Sequence, residues 1–315
     1  GNSNAWSGGA GANNAPSALA ADAAKVLVID AETSLTNATL TSSAEVGCLW
    51  VKSNSVLVVN NNTYISFPGK LILDGEIKLV GSAQLIQTHD SPSNVEGNGK
   101  LYVDQKSYLP NVYRYNYWSS PVVNALGNTT YKVGDVMKDG TQPTAERSVP
   151  KNITFKNYAQ VSDLNGDYTT DPISIANYWI FGYFNGTTRD DWTQKKESGA
   201  INIGEGYTMK STGKVPQNYT FVGTPNDGTI TKTVSAGTTS LIGNPYPSTL
   251  NASKFITDNS NSLDGTLYFW EHKGESTTTS QVEGHGEFGY IGGYSQRNIA
   301  MGVAANSVTA GTAGI

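Results

Sequence analysis

Six apolar, β-type runs begin at residues 45, 55, 63, 70, 76 and 83, only 6–10 residues apart. That spacing leaves room for strands of about four or five residues with a tight turn after each, and none for a helix of ordinary length. The runs are Glu45–Lys52, Ser55–Val59, Thr63–Phe67, Lys70–Leu73, Glu76–Val80 and Ala83–Gln87, with Lys25–Asp30 ahead of them. Val, Ile, Leu and aromatic residues fill most of them, and Asn, Gly, Pro or Ser separates several. Such short strands suit a β-solenoid or a small β-sandwich. In a solenoid each coil covers the apolar face of its neighbour, and polar turns face water. Asn60-Asn61-Asn62 would fit such a turn. No strict repeat period is visible in the residues themselves.

The surface of this chain must be neutral. Charged residues make up 15% of it, against about 25% in an average soluble domain. Gly, Asn, Ser and Thr together supply 126 of the 315 residues. This composition excludes a coiled coil. The 37% of hydrophobic residues, with 6 Trp, 17 Tyr and 8 Phe, argues against wholesale disorder. A net charge of −5 implies no basic face, so nucleic acid is not an expected partner. The single cysteine, Cys48, lies in an apolar run and is expected to be a small buried hydrophobe. It has no intrachain partner for a disulfide. No run of 18 apolar residues is present, so membrane insertion is not expected. The chain opens at Gly1 without a basic-then-apolar leader, which reads as a processed or internal segment of a longer polypeptide.

Three regions follow from the pattern. Residues 1–24 are Gly, Ala, Asn and Ser with Trp6, and read as an extended arm or loop. Residues 25–108 read as the short-strand, solenoid-like module, with Asp90–Gly99 as a linker or long loop and Leu101–Asp104 as a strand. Residues 109–315 hold most of the aromatics and read as an antiparallel β-sandwich, jelly-roll-like. Ala176–Phe184 followed by Asn185-Gly186 predicts a hairpin returning over Thr187–Gln194. Asn226-Asp227-Gly228 predicts another, between Tyr219–Val222 and Thr229–Val234. Asp264-Gly265 leads into a strand over Thr266–His272, and Ser248–Asp258 is the one helix expected. The whole is an all-β chain.

No reaction is legible. The histidines are His89, His272 and His285, and neither a zinc motif nor a nucleophile elbow accompanies them. A serine–histidine–aspartate triad stays open, because its members are neighbours in space rather than in sequence. The Gly97/Gly99 and Gly204/Gly206 pairs do not extend to a nucleotide-binding fingerprint. No catalytic residues are assigned, and the chain is not expected to be an enzyme. Asp163, Asn165, Asp167, Thr169 and Asp171 place oxygen ligands at alternate positions, the spacing of a calcium loop. Tyr168 and Ser174 replace the turn Gly and the bidentate Glu of such a loop, so an Asx-rich turn competes with Ca2+ binding. Tyr113, Tyr115 and Tyr117 alternate on one strand face with Trp118 on the other. They are the candidates for stacking on glycan rings, although one face of the strand could simply be core. The alternating glycines of Gly284–Tyr294 suggest a closely packed or flexible loop.

Several strings, in order, resemble one family. They are Gly99-Lys-Leu-Tyr-Val-Asp104, Tyr115-Asn-Tyr-Trp-Ser-Ser-Pro-Val122, Gly204-Glu-Gly-Tyr-Thr-Met209, Phe221-Val-Gly-Thr-Pro-Asn-Asp-Gly228, Leu241-Ile-Gly-Asn-Pro-Tyr-Pro-Ser248 and Asp264-Gly-Thr-Leu-Tyr-Phe-Trp270. They look like the large secreted, adhesin-like surface proteins of Bacteroidota, chiefly flavobacteria. The resemblance implies export by the type IX secretion machinery and an extracellular or outer-surface location. It implies adhesion or scaffold work, with no catalytic residues attached to these strings. Expected partners are glycans, other surface proteins or further copies of the chain. A glycan-binding module of a polysaccharide-degrading enzyme and a self-assembling fibre subunit are the alternatives. In Asn244-Pro-Tyr-Pro247 the prolines hold Asn244 and Tyr246 extended. The segment is therefore expected to be a rigid loop that pins a strand end.

Overall fold

In a computed structural model of the chain, the residues described are 6–30, 37–109, 111–141, 149–272 and 292–305. Regular structure is nearly all β: a solenoid followed by antiparallel sheets. The solenoid is wound from β1 (Val26–Ile29), β2 (Ala38–Leu40), β3 (Ala44–Glu45), β4 (Cys48–Val51), β5 (Val56–Val59), β6 (Tyr64–Phe67), β7 (Leu71–Leu73), β8 (Glu76–Leu79), β9 (Gln84–Gln87), β10 (Val95–Glu96) and β11 (Lys100–Ser107). Equivalent strands of successive coils pair in parallel, giving three faces: β1-β4-β7-β10, β2-β5-β8-β11 and β3-β6-β9. Every third strand thus returns to the same face.

The register explains why no fixed period shows in the sequence. Val26 pairs with Cys48, 22 residues on; Ala38 pairs with Leu57, 19 on; Glu76 pairs with Lys100, 24 on. Corners absorb the difference, so the coils stack without an exact repeat. Inside, like residues form columns. Leu57, Ile77 and Leu101 lie in one register, and Val59, Leu79 and Val103 in another, all buried. Burying each such side chain is worth about 1.5–3 kcal/mol.

Single runs read as strands can straddle a corner. Glu45–Lys52 divides into β3 and β4 around Val46-Gly47, where the Gly47 N–H donates to the Lys25 carbonyl at 2.7 Å. Cys48 consequently points outward, in register with Val26, and is half-buried rather than in the core. Asp90–Gly99 is not a linker. It carries β10 and opens the fourth coil. Gly97 suits the position on two counts: it adopts φ +97°, and any side chain there would strike the Leu73 carbonyl.

The described part of the N-terminal arm folds onto the first coil. Asp22 organises it, accepting from the Ala10 N–H (2.9 Å), the Ser17 N–H (2.9 Å) and hydroxyl (2.7 Å), and Lys25 Nζ (2.7 Å). The Lys25 ammonium, first among these donors, holds the Asp22 carboxyl well below the usual carboxylate range. The Glu45 N–H donates to the Ser17 carbonyl at 3.0 Å, tying the arm to β3.

Strand β11 joins the two halves. Its first residues pair in parallel with β8, and Leu101–Ser107 pair antiparallel with residues 217–223 of the long strand Gln217–Pro225. Met137–Asp139 and Lys151–Asn152 extend the same sheet. A second antiparallel sheet orders β12 (Tyr115–Trp118), Tyr207–Lys210, Phe181–Gly182 and Thr193–Gln194. A third holds Leu267–His272, Gly292–Arg297 and Gly302–Val303. One pair in this half, Thr154–Lys156 with Ser174–Ala176, is parallel. The core beneath is aromatic: Trp118 meets Tyr219 edge-on, with ring centroids 5.3 Å apart.

Three local expectations change. The run Ala176–Phe184 is broken by a single turn over Asn177–Trp179. Asn185 does adopt φ +53°, but Phe181–Gly182 pairs with Thr193–Gln194, so the connection is long and holds a turn over Arg189–Asp191. After Gly228 no strand returns along Thr229–Val234. The helix is shorter than expected, Ala252–Asp258, because Asn251 caps it by accepting from the Lys254 N–H. Among the described residues, no helix is long and apolar enough to cross a membrane.

Candidate functional site

A groove of about 480 Å3 opens where the solenoid meets the antiparallel half. One wall is the corner Gly81–Gln84 of the third coil with Val103–Gln105 of β11. The other is Tyr117–Ser119 and residues of the 241–249 segment. Three of the strings quoted above therefore line one cleft, Gly99–Asp104 on the first wall and Tyr115–Val122 with Leu241–Ser248 on the second.

The second wall is held in place by hydrogen bonds to its neighbours. The Leu85 N–H donates to the Pro247 carbonyl at 3.0 Å, and both the N–H and the hydroxyl of Thr249 donate to Gln84 Oε1. The Asn226 side-chain amide donates to the Pro245 carbonyl at 2.9 Å, and the Tyr246 hydroxyl to the Gly228 carbonyl at 2.8 Å. The Pro-Tyr-Pro segment thus pins the edge of β9, as its extended backbone suggested. Its X-Pro bonds are trans; the cis bonds among the described residues are Asp171-Pro172 and Val215-Pro216.

Chemically the groove is neutral and amphipathic. Tyr117 is 38% exposed and Ile242 39%. Ser82, Gln84, Gln105, Asn244 and Thr249 bring hydroxyls and amides. The one carboxylate in the lining, Asp104, is buried and accepts from the Thr220 hydroxyl at 2.9 Å. Such a surface suits an uncharged ligand with both apolar and hydroxyl faces.

The four aromatic candidates do not form one platform. Tyr113 precedes β12. Tyr115 stands edge-on to Trp179 at 6.1 Å, and Lys210 Nζ sits 5.2 Å from the Tyr115 ring and 3.7 Å from that of Trp179. Burial pushes the Lys210 amine down to about 8. Trp118 is buried beneath the groove, which leaves Tyr117 as the exposed ring in its lining.

The carboxylates of the 163–171 loop have separate uses. Asp163 accepts from the N–H groups of Ala159 and Gln160. Asp167 accepts from the hydroxyl (2.7 Å) and N–H (2.8 Å) of Thr169, which lowers its pKa. Asp171 pairs with Lys151 at 2.7 Å. Asn165 ends the turn over Val161–Leu164. Among the described residues, no three His, Cys, Asp or Glu side chains converge as a metal site requires. Most of the Gly284–Tyr294 run, with His285, lies outside the described residues.

The groove was not legible beforehand, because its walls come from four stretches far apart in sequence. The rigidity of the 244–247 segment was the one signal pointing towards it. A family model described as a domain of unknown function (DUF8693) matches residues 1–313. No curated protein and no solved structure matches the chain.

Proposed function

The chain belongs to that family, and we propose that it is a segment of an exported cell-surface protein that recognises a neutral glycan through the junctional groove. The observation that carries this reading is the lining: an exposed tyrosine ring beside neutral amides and hydroxyls, on walls held by backbone hydrogen bonds. Sugar rings offer one apolar face for stacking and a rim of hydroxyls for amides. A stiff site binds without an ordering cost. The low overall charge fits a partner met through hydrogen bonding rather than ionic attraction. Its work in this reading is adhesion or scaffolding, with export by the type IX route. The surface-protein strings support that part. A glycan microarray probed with the fluorescently labelled chain tests it, with Tyr117→Ala as control. Binding to neutral oligosaccharides that the variant loses supports the reading. Signal confined to anionic glycans, or unchanged in Tyr117→Ala, removes it.

A further inference from the structure

His89 follows β9, Ser91 lies two residues on, and Asp227 follows the strand Gln217–Pro225 in the other half of the chain. The fold brings the three into one hydrogen-bonded line. The Ser91 hydroxyl lies 2.8 Å from His89 Nδ1, and His89 Nε2 lies 3.1 Å from both Asp227 carboxylate oxygens; a ring proton on Nε2, facing the carboxylate, leaves Nδ1 to accept from Ser91. We propose that Ser91 is a nucleophile activated by His89 and oriented through Asp227, and that this site cleaves carboxylic esters displayed on the outside of a larger molecule. The inference stands apart from the groove.

Burial grades along the line as the roles require. Asp227 is 2% exposed and His89 10% in their side chains, while Ser91 is exposed. The Asn94 N–H also donates to Asp227 at 2.6 Å, so the carboxylate is fixed independently of the imidazole. The turn that carries Ser91 is held from the far side. The Thr229 N–H donates to the Ser91 carbonyl and the Thr229 hydroxyl to the Asp90 carbonyl. Gly228, at φ +76°, allows this approach, since a side chain there would strike Ser93 and Pro92. Nucleophile, base and orienting acid all lie within the reach such catalysis needs.

The chemistry closes with water as co-reactant. His89 Nδ1 takes the hydroxyl proton as Ser91 Oγ attacks the ester carbonyl. The bond to the alcohol oxygen breaks, and His89 returns the proton to the departing alcohol. Water, deprotonated by His89, then releases the acid and restores Ser91. The exposed position of Ser91 selects acyl groups that project from a polymer, such as acetyl esters, over substrates that must enter a pocket.

The test is labelling with a fluorophosphonate probe, located by peptide mass spectrometry, together with hydrolysis of p-nitrophenyl acetate. We expect the label on Ser91, and at least a tenfold loss of hydrolysis in Ser91→Ala, whose exposed position leaves the fold intact. Asp227→Asn should lose labelling together with the downfield NMR signal of the His89 Nε2 proton, whereas Ser91→Ala keeps that signal. No label at Ser91 above that on other exposed serines overturns the proposal. So does hydrolysis unchanged in Ser91→Ala, or labelling that survives in Asp227→Asn.

Discussion

The Thr220 hydroxyl donates to the Asp104 carboxylate at 2.9 Å across 116 residues of sequence, at the place where the last solenoid strand meets the antiparallel sheet. Thr220 is 0% exposed and Asp104 7%. Replacing Thr220 by Val keeps the volume and removes the donor. We predict a loss of about 1–3 kcal/mol, the usual cost of depriving a buried acceptor. Urea unfolding of Thr220→Val against wild type reads it. A neutral result would mean that Asp104 finds full compensation from its other neighbours.

Leu57 lies in the middle of an inward column and is 0% exposed. Leu57→Ala should cost about 2–5 kcal/mol, because stacked coils cannot collapse inward to fill the gap. Trp50, on the outward face, is only half-buried, and Trp50→Ala should cost less. The two melting temperatures, compared directly, decide whether the column carries the solenoid's stability.

Lys210 gives the chain an alkaline signature. Its amine is held at about 8, below the ordinary 10.5, by desolvation. Between those two values the unfolded chain holds the extra proton, so stability rises as pH rises. The gain is a few kcal/mol at most, at about 1.4 kcal/mol for each pH unit between the two values. Lys210→Met should remove that rise and leave a flatter profile from about pH 8 to 10. Parallel slopes for the two proteins would place the proton elsewhere.

The 163–171 loop should be indifferent to calcium. Asp163 and Asp167 already accept from backbone N–H groups and Asp171 faces Lys151, so each of the three carboxylates has a partner of its own. Millimolar Ca2+ and EDTA should give the same melting temperature. A stabilisation that saturates with Ca2+ would restore the loop as a metal site.

Strands β5 to β9 were readable because branched and aromatic residues fill them and turn residues bound them, and their observed limits fall close to the runs. Strand β2 was not, since Ala38-Thr-Leu40 is too short and too polar to stand out. The hairpin expected at Asn226-Asp227-Gly228 failed for a tertiary reason: the Asp227 carboxylate is taken by His89 and the Asn94 N–H, which local turn chemistry cannot register. Cys48 misled because its run turns a corner, and burial changes side there. Of the aromatic candidates, alternation correctly separated Trp118 from Tyr117. It could not tell that Tyr115 is spent on caging Lys210. The groove depends on contacts between residues 81–84, 103–105, 117–119 and 241–249, and no local pattern encodes their meeting.

Because Leu101–Ser107 pair with seven successive residues of the strand beside them while Lys100–Val103 still belong to the solenoid ladder, one strand carries both halves. A pull along that strand loads its hydrogen bonds together, in shear, instead of opening them one after another. The two halves cannot swivel until that ladder yields. Under the proposed adhesive role, tension would then pass through the joint as through a spliced beam, with the groove beside it keeping its shape under load.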